Sequence, residues 1–235
     1  MKINNKYTHI LSVILVFMLM FTCIPIASGS IEANAATKVK KGTVYNQVIK
    51  KGNIVYCTYN ENGNNTVLKV NLKTGKKTKV VKNVYNLRGM QIKGNYIYYG
   101  LGLEVPMFYL YRVNIKTGKK QKLANVYSLG NGHPAYVVGK NTIYYKDASW
   151  KEGTDIIKSR NMQMKLNGKS KKKLSNTKIN VGCKNSNVSG YKVIYKGINY
   201  HYDNYIDEYT YDYYKCYLKQ PNGKQIYLAK VNAYW

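Results

Sequence analysis

The residues KGNYIYYG at 93–100 and LYRVNIKTGKKQKLANVY at 110–127 read together as three strands of one sheet. Tyr96 to Tyr99 alternate between Gly94 and Gly100, and Tyr111, Val113 and Ile115 then alternate with Leu110, Arg112 and Asn114. Successive strand side chains point to opposite faces, so a period of two is what a strand with one packed face produces. KTGK at 116–119 is a tight turn into the third strand.

Outward from this stretch the same unit recurs. A hydrophobic-Tyr pair stands at Val55-Tyr56, Ile97-Tyr98, Ile143-Tyr144 and Ile194-Tyr195, at spacings of 42, 46 and 51 residues. A second mark, a strand leading into a Gly-containing turn, falls around Val70, Val113, Met162 and Cys216. Its turns are KTGK at 73–76, KTGK at 116–119, NGKS at 167–170 and PNGK at 221–224. A period of about 42–50 residues without helical periodicity is that of β-propeller blades.

Each copy divides into four strands, in the second copy near 90–93, 96–99, 109–115 and 121–126. The first two strands are joined by tight turns at Lys51-Gly52, Lys93-Gly94, Gly139-Lys140 and Gly190-Tyr191, where glycine supplies the positive φ a short hairpin needs. The expected fold is therefore all-β: a β-propeller-like array of about four four-stranded antiparallel blades, with repeats at about 43–83, 84–126, 127–175 and 176–235.

The polar run KKKLSNTKINVGCKNSNVSG at 171–190 reads as punctuation between the third and fourth copies. With the first strand starting near Tyr45, no strand is left at the N-terminus to close a ring. Either four blades close unaided, or an open arc is completed by a second copy of the chain.

Residues 1–35 are set apart. Lys2 and Lys6 precede an apolar run from Ile10 to Ile24, and Ala33-Asn34-Ala35 offers a small-x-small cleavage site, the three regions of a secretory signal peptide. The remaining 36–235 suffice for one domain with its own core. Of 38 basic and 10 acidic residues, Lys2, Lys6 and Glu32 leave with the leader, so the mature net charge is +27. Such an excess repels itself in a compact state and calls for an anionic partner. The expected partner is an anionic cell-wall polymer or polysaccharide, or an extracellular protein; nucleic acid is disfavoured because no recognition motif accompanies the charge. Cys57, Cys183 and Cys216, an odd count without metal-ligand spacing, point to neither a disulfide framework nor a zinc site. The expected localisation is secreted and cell-wall associated.

The combination NYIYYG…LYRVNIKTGKKQKL resembles the extracellular β-propeller-like repeat families of Gram-positive bacteria, described as low-density-lipoprotein-receptor-like or TolB-like propellers. The resemblance covers about 43–231 and is closest over 51–127. It implies the fold and an extracellular setting, and brings no catalytic residues with it.

From second-strand mark to third-strand mark the distance grows from 15 residues to 16, 19 and 22. These variable connections emerge on one side of an up-and-down array, where binding residues collect on a rigid scaffold. The longest includes INYHYDNYIDEYTYDYYKCYL at 198–218, whose tyrosines suit stacking on sugars or packing at an interface. Candidate ligand-binding residues are Phe108, Trp150, Tyr202, Asp203, Tyr205, Asp207 and Tyr209. The bland alternative is a long hairpin in which tyrosines serve strand propensity and the acids offset lysines. Calcium is disfavoured because the acids lack the Asp-x-Asp-x-Asp-Gly spacing.

A non-enzymatic binding or structural module without cofactor or metal is the expected function. The competing class is a carbohydrate-active enzyme using acids at 147–155 and 203–212, since hydrolysis of a glycosidic bond needs two carboxylates across a cleft. Nucleophilic catalysis has little to draw on, because His133 and His201 have no Ser or Cys motif beside them.

Overall fold

The computed structural model describes residues 37–103, 106–130, 132–150, 157–184, 189–203 and 208–232. The expected leader at 1–35 lies outside them. Every regular element among the described residues is a strand. β1 (Lys38–Tyr45) precedes a first sheet of β2 (Val48–Lys51), β3 (Ile54–Glu61), β4 (Asn64–Asn71) and β5 (Lys77–Tyr85), antiparallel in that order. The second sheet repeats the pattern with β6 (Leu87–Lys93), β7 (Tyr96–Gly102), β8 (Met107–Asn114) and β9 (Lys120–Leu129). A two-residue β10 (His133–Pro134) pairs with β9. The third sheet is β11 (Tyr136–Val138), β12 (Thr142–Trp150), β13 (Ile157–Lys165) and the short β14 (Lys172–Lys173), and a bridge of Asp147 to Val126 joins it to β9, so that the second and third sheets are continuous in hydrogen bonding. After β15 (Thr177–Lys184) comes a three-stranded last sheet, β16 (Lys192–Asp203), β17 (Glu208–Lys219) and β18 (Gln225–Asn232). The chain is thus all-β and β-propeller-like.

Two features differ from the sequence reading. A strand does precede Tyr45, and the polar run at 171–190 contains another. β1 and β15 pair in parallel over eight residues, from Lys38↔Thr177 to Tyr45↔Lys184. They lie among the first strands of the second and third sheets: Tyr45 bridges Met90, and a Cβ on Gly42 would sit 2.6 Å from Val137 Cγ1. In consequence β15 is not the first strand of the last sheet, which keeps only three.

The alternation read from KGNYIYYG serves two cores rather than one. Tyr96 and Tyr98 pack with the third sheet, β1 and β15 around Leu110, Tyr136, Ile143 and Met164. Ile97 and Tyr99 pack with the first sheet around Tyr56, Val67, Val81 and Met90. β3 does the same on its two sides, Val55, Cys57 and Tyr59 meeting Val193, Cys216 and Leu218 of the last sheet. The sheets therefore neighbour one another in the order last, first, second, third. Among the described residues no core cluster joins the third sheet to the last. Burying a Val, Leu or Ile side chain is worth about 1.5–3 kcal/mol, so sheets with two buried faces explain strands that are apolar at consecutive positions.

Polar groups tie the central strands together. Gln91 donates through Nε2 to Tyr136 O at 3.2 Å and accepts from Val138 N at 2.8 Å. The buried Tyr136 hydroxyl lies against Gly89 O and within 3.0 Å of Tyr98 O.

Candidate functional site

Up-and-down order places connections on two sides. On one, the turn side, lie the hairpins after β2, β4, β6, β8, β11, β13 and β17. On the other, the loop side, lie the ends of β1, β3, β5, β7, β9, β12 and β16. The central parallel pair delivers Asn46 and Gln47 to the loop side, where strand ends from four segments surround a cavity of about 620 Å3. Its wall includes Asn46, Gln47, Asn60, Asn65, Tyr85, Asn86, Arg88, His133 and Tyr195.

Each polar side chain is held by the backbone around it. Asn46 Oδ1 accepts from Gly89 N at 2.7 Å, and Asn60 Oδ1 accepts from Gly63 N at 3.2 Å. Asn86 sits at φ 49°, a conformation asparagine tolerates better than most residues, and its Oδ1 accepts from Arg88 Nε at 3.1 Å. With its oxygen so engaged, Asn60 keeps its NH2 end for a ligand, Asn86 packs its amide nitrogen against Gly102, and Arg88 adds a cation. Tyr195 closes one wall, its hydroxyl accepting from Asn60 N at 2.8 Å, and burial pushes its phenol up to about 12. Tyr85, 66% exposed, offers a ring face at the rim.

His133 is buried, and its Nδ1 has no hydrogen-bond partner of normal geometry among the described residues. Burial, then the charge of Arg88, holds the imidazole below its ordinary value, against a weaker pull from the Gly132 backbone. The ring is therefore neutral at neutral pH. No carboxylate lines this cavity among the described residues. The site is rich in donors, which matches ligands rich in acceptors: hydroxyls, carbonyls or an anionic group.

Two clefts extend it. One of about 380 Å3, between the first and last sheets, shares Asn60 and Tyr195 and adds Glu61, Tyr214 and Val231. The other, about 350 Å3, shares Asn86 and Arg88 and adds Pro106, Phe108 and Ser128. Together they form a groove across the loop side.

Of the residues singled out from the sequence, Tyr205 and Asp207 lie outside the described residues. Trp150 ends β12, Tyr202 and Asp203 end β16, and Tyr209 is the second residue of β17; these backbones lie on the loop side, and their side chains lie outside the description. Phe108 is placed differently from the expectation. It is a strand residue of β8, only 5% exposed, with its ring against Gly100 and Gly102 of the neighbouring strand. Glycines there leave a slot that the ring fills, so Phe108 contributes a wall of the cleft and not a free aromatic tip.

The sequence reading passed over Asn46, Asn60, Asn86, Arg88 and Tyr195 as ligand-facing residues. A signal for two of them was present. Val44-Tyr45-Asn46-Gln47, Val84-Tyr85-Asn86-Leu87 and Val126-Tyr127-Ser128-Leu129 repeat at spacings of 40 and 42, each at the passage onto the loop side. Burial pushes the thiols of Cys57 and Cys216 up to about 12, which leaves them protonated and poor nucleophiles. No three potential metal ligands cluster among the described residues.

No protein-family model matches the chain, and no curated protein matches it in sequence. Among solved structures it is similar to the tricorn protease at 14% identity, with a TM-score of 0.43, covering 73% of this chain and 17% of that one. It is similar to a putative TolB from Agrobacterium tumefaciens at 13% identity and a TM-score of 0.37, covering 77% and 63%. TolB from Acinetobacter baumannii gives 13% and 0.37, covering 75% and 52%. The chain spans less than two-thirds of the length of each of these proteins. At those scores the likeness carries no argument about activity or partners.

Proposed function

We propose that the chain is a secreted, non-enzymatic binding module of the cell envelope that takes a glycan on its loop side. The observation that carries this reading is the donor-rich cavity itself: carboxamides and Arg88 around an open space, with the exposed ring of Tyr85 at its rim. Sugars present acceptor hydroxyls edge-on and an apolar face for stacking, which is what amide donors beside a tyrosine engage. An acidic sugar would gain further from Arg88. Secretion rests on the three-part leader at 1–35, and association with anionic envelope polymer on the lysine excess.

A carbohydrate-active enzyme is the competing reading. It would have to bring two carboxylates to one bond, and Glu61 lines the flanking cleft.

A panel of neutral and acidic oligosaccharides, scored in parallel for binding and for hydrolysis, separates the two. We expect retention of intact oligosaccharide, with Tyr85→Ala and Arg88→Ala each weakening it about tenfold, equivalent to about 1.4 kcal/mol, at unchanged melting temperature. Turnover that disappears in Asp203→Asn or Glu208→Gln would establish the enzyme instead.

A further inference from the structure

The turn side differs in character from the loop side, and neither glycan binding nor the fold requires it to. Every hairpin there carries exposed lysine, represented by Lys51 and Lys93 near the centre and Lys76, Lys119, Lys169 and Lys224 farther out. No Asp or Glu falls in these hairpins among the described residues. The turns are built alike. Asn71 Oδ1 accepts from Lys73 N and Thr74 N at 2.9 and 3.3 Å, and Asn114 Oδ1 accepts from Lys116 N and Thr117 N at 2.9 and 3.1 Å. Asn167 and Asn222 make the same bond to Lys169 N and Lys224 N at 3.0 and 3.1 Å. Such side-chain-to-backbone bonds fix the turn and so fix where each lysine starts. The charges also crowd: Lys51 is held below its ordinary value by burial and by the positive charge of Lys93.

We propose that the turn side is a second binding surface, for a linear polymer of repeating phosphate groups. Three observations select that partner. The lysines sit on hairpins of all four sheets, close at Lys51 and Lys93 and spread outward from there, which suits an extended chain and not a single small anion. The outer tips KTGK, KTGK, NGKS and PNGK carry no apolar side chain larger than proline to enter a bilayer. Lysine meets phosphate as a point charge without demanding a fixed geometry, so contacts add along a flexible polymer. This surface stands apart from the loop-side cavity and does not depend on what that cavity takes. Opposed surfaces would let one molecule lie on an anionic polymer while its groove faces away.

The test is binding of the purified protein to inorganic polyphosphate across a salt series. One variant replaces Lys76, Lys119, Lys169 and Lys224 by Gln; a control of equal net charge replaces Lys79, Lys82, Lys158 and Lys184 by Gln; a third carries Arg at the four turn positions. The turn variant is expected to bind at least about tenfold more weakly, with its log–log salt slope reduced by about 3, since each lost contact removes about 0.7–0.9. The control should change less than about twofold, and the Arg variant should bind like the parent. Equal loss in turn variant and control would show that net charge alone acts and would overturn the proposal, as would unchanged binding of the turn variant. Binding to phosphatidylglycerol vesicles without binding to polyphosphate would overturn it in favour of a membrane. Oligosaccharide binding on the loop side should be the same in all three, so failure here and failure of the glycan reading are told apart.

Discussion

Individual side chains carry the close approach at the centre of the molecule. Gly42 faces Val137 at a distance no Cβ tolerates, and Val137 is itself buried. Gly42→Ala should therefore cost about 1–3 kcal/mol, the usual range for overpacking. Tyr136→Phe removes the one hydroxyl proton shared between Gly89 O and Tyr98 O, and should cost about 1–3 kcal/mol through the lost buried hydrogen bond. Chemical denaturation of both variants checks this; midpoints equal to the parent's would show that the centre is looser than described. At this scale the sequence was least informative. Asn46, Asn86 and His133 come from distant segments, and only pairing of β1 with β15 brings Asn46 to the mouth. A lone asparagine after a Val-Tyr pair looks like turn chemistry until three such passages are aligned.

Strands show what sequence period can and cannot deliver. Alternation and tight turns were legible in β3, β7 and β8 because each residue there has one of two buried destinations. β1 and β15 were illegible for a physical reason: in a parallel pair the partners are far apart in the chain, and KVKKGTVY and TKINVGCK are largely polar because much of their surface stays wet.

The strands also explain how a chain with few acids tolerates its lysines. Lys122 lies 3.3 Å from the ring centre of Tyr109, Lys230 3.7 Å from that of Tyr213 and Lys120 4.3 Å from that of Tyr111, all across neighbouring strands. Such contacts contribute about 0.5–1 kcal/mol each at exposed sites. Other tyrosines are inside, and burial raises the phenols of Tyr56, Tyr98, Tyr136 and Tyr145, the last to about 12. The folded chain then keeps protons that the unfolded chain releases above about pH 10. The stabilisation is complete below pH 10 and is lost as pH rises through the folded values. Denaturation midpoints should fall steeply between pH 10 and 12; a flat profile there would contradict the burial of these rings.

Over the whole molecule, charge and closure decide behaviour. A net charge of +28 is countered among the described residues by an ion pair of Arg160 with Asp147 at 3.3 Å. Self-repulsion should make the protein more stable as salt rises from about 0.15 to 1 M and the screening length falls from about 8 to 3 Å. The expected gain in melting temperature is at least about 3 °C, the shift that about 1 kcal/mol makes at this size; a decrease would mean that attractive charge pairs dominate. The repeat itself was legible in the marks spaced 42 to 51 residues apart, while the centre was not, and the centre sets how the sheets stand around the cavity.

Amide hydrogen exchange tests that centre most directly. If β1 is threaded beside β15 among the first strands of the second and third sheets, the alternate amides of 38–46 and 178–184 that face the partner strand should exchange slowly, as ladder amides do. Rapid exchange over 38–45, as in a free N-terminal tail, would contradict the arrangement that brings Asn46 to the binding cavity.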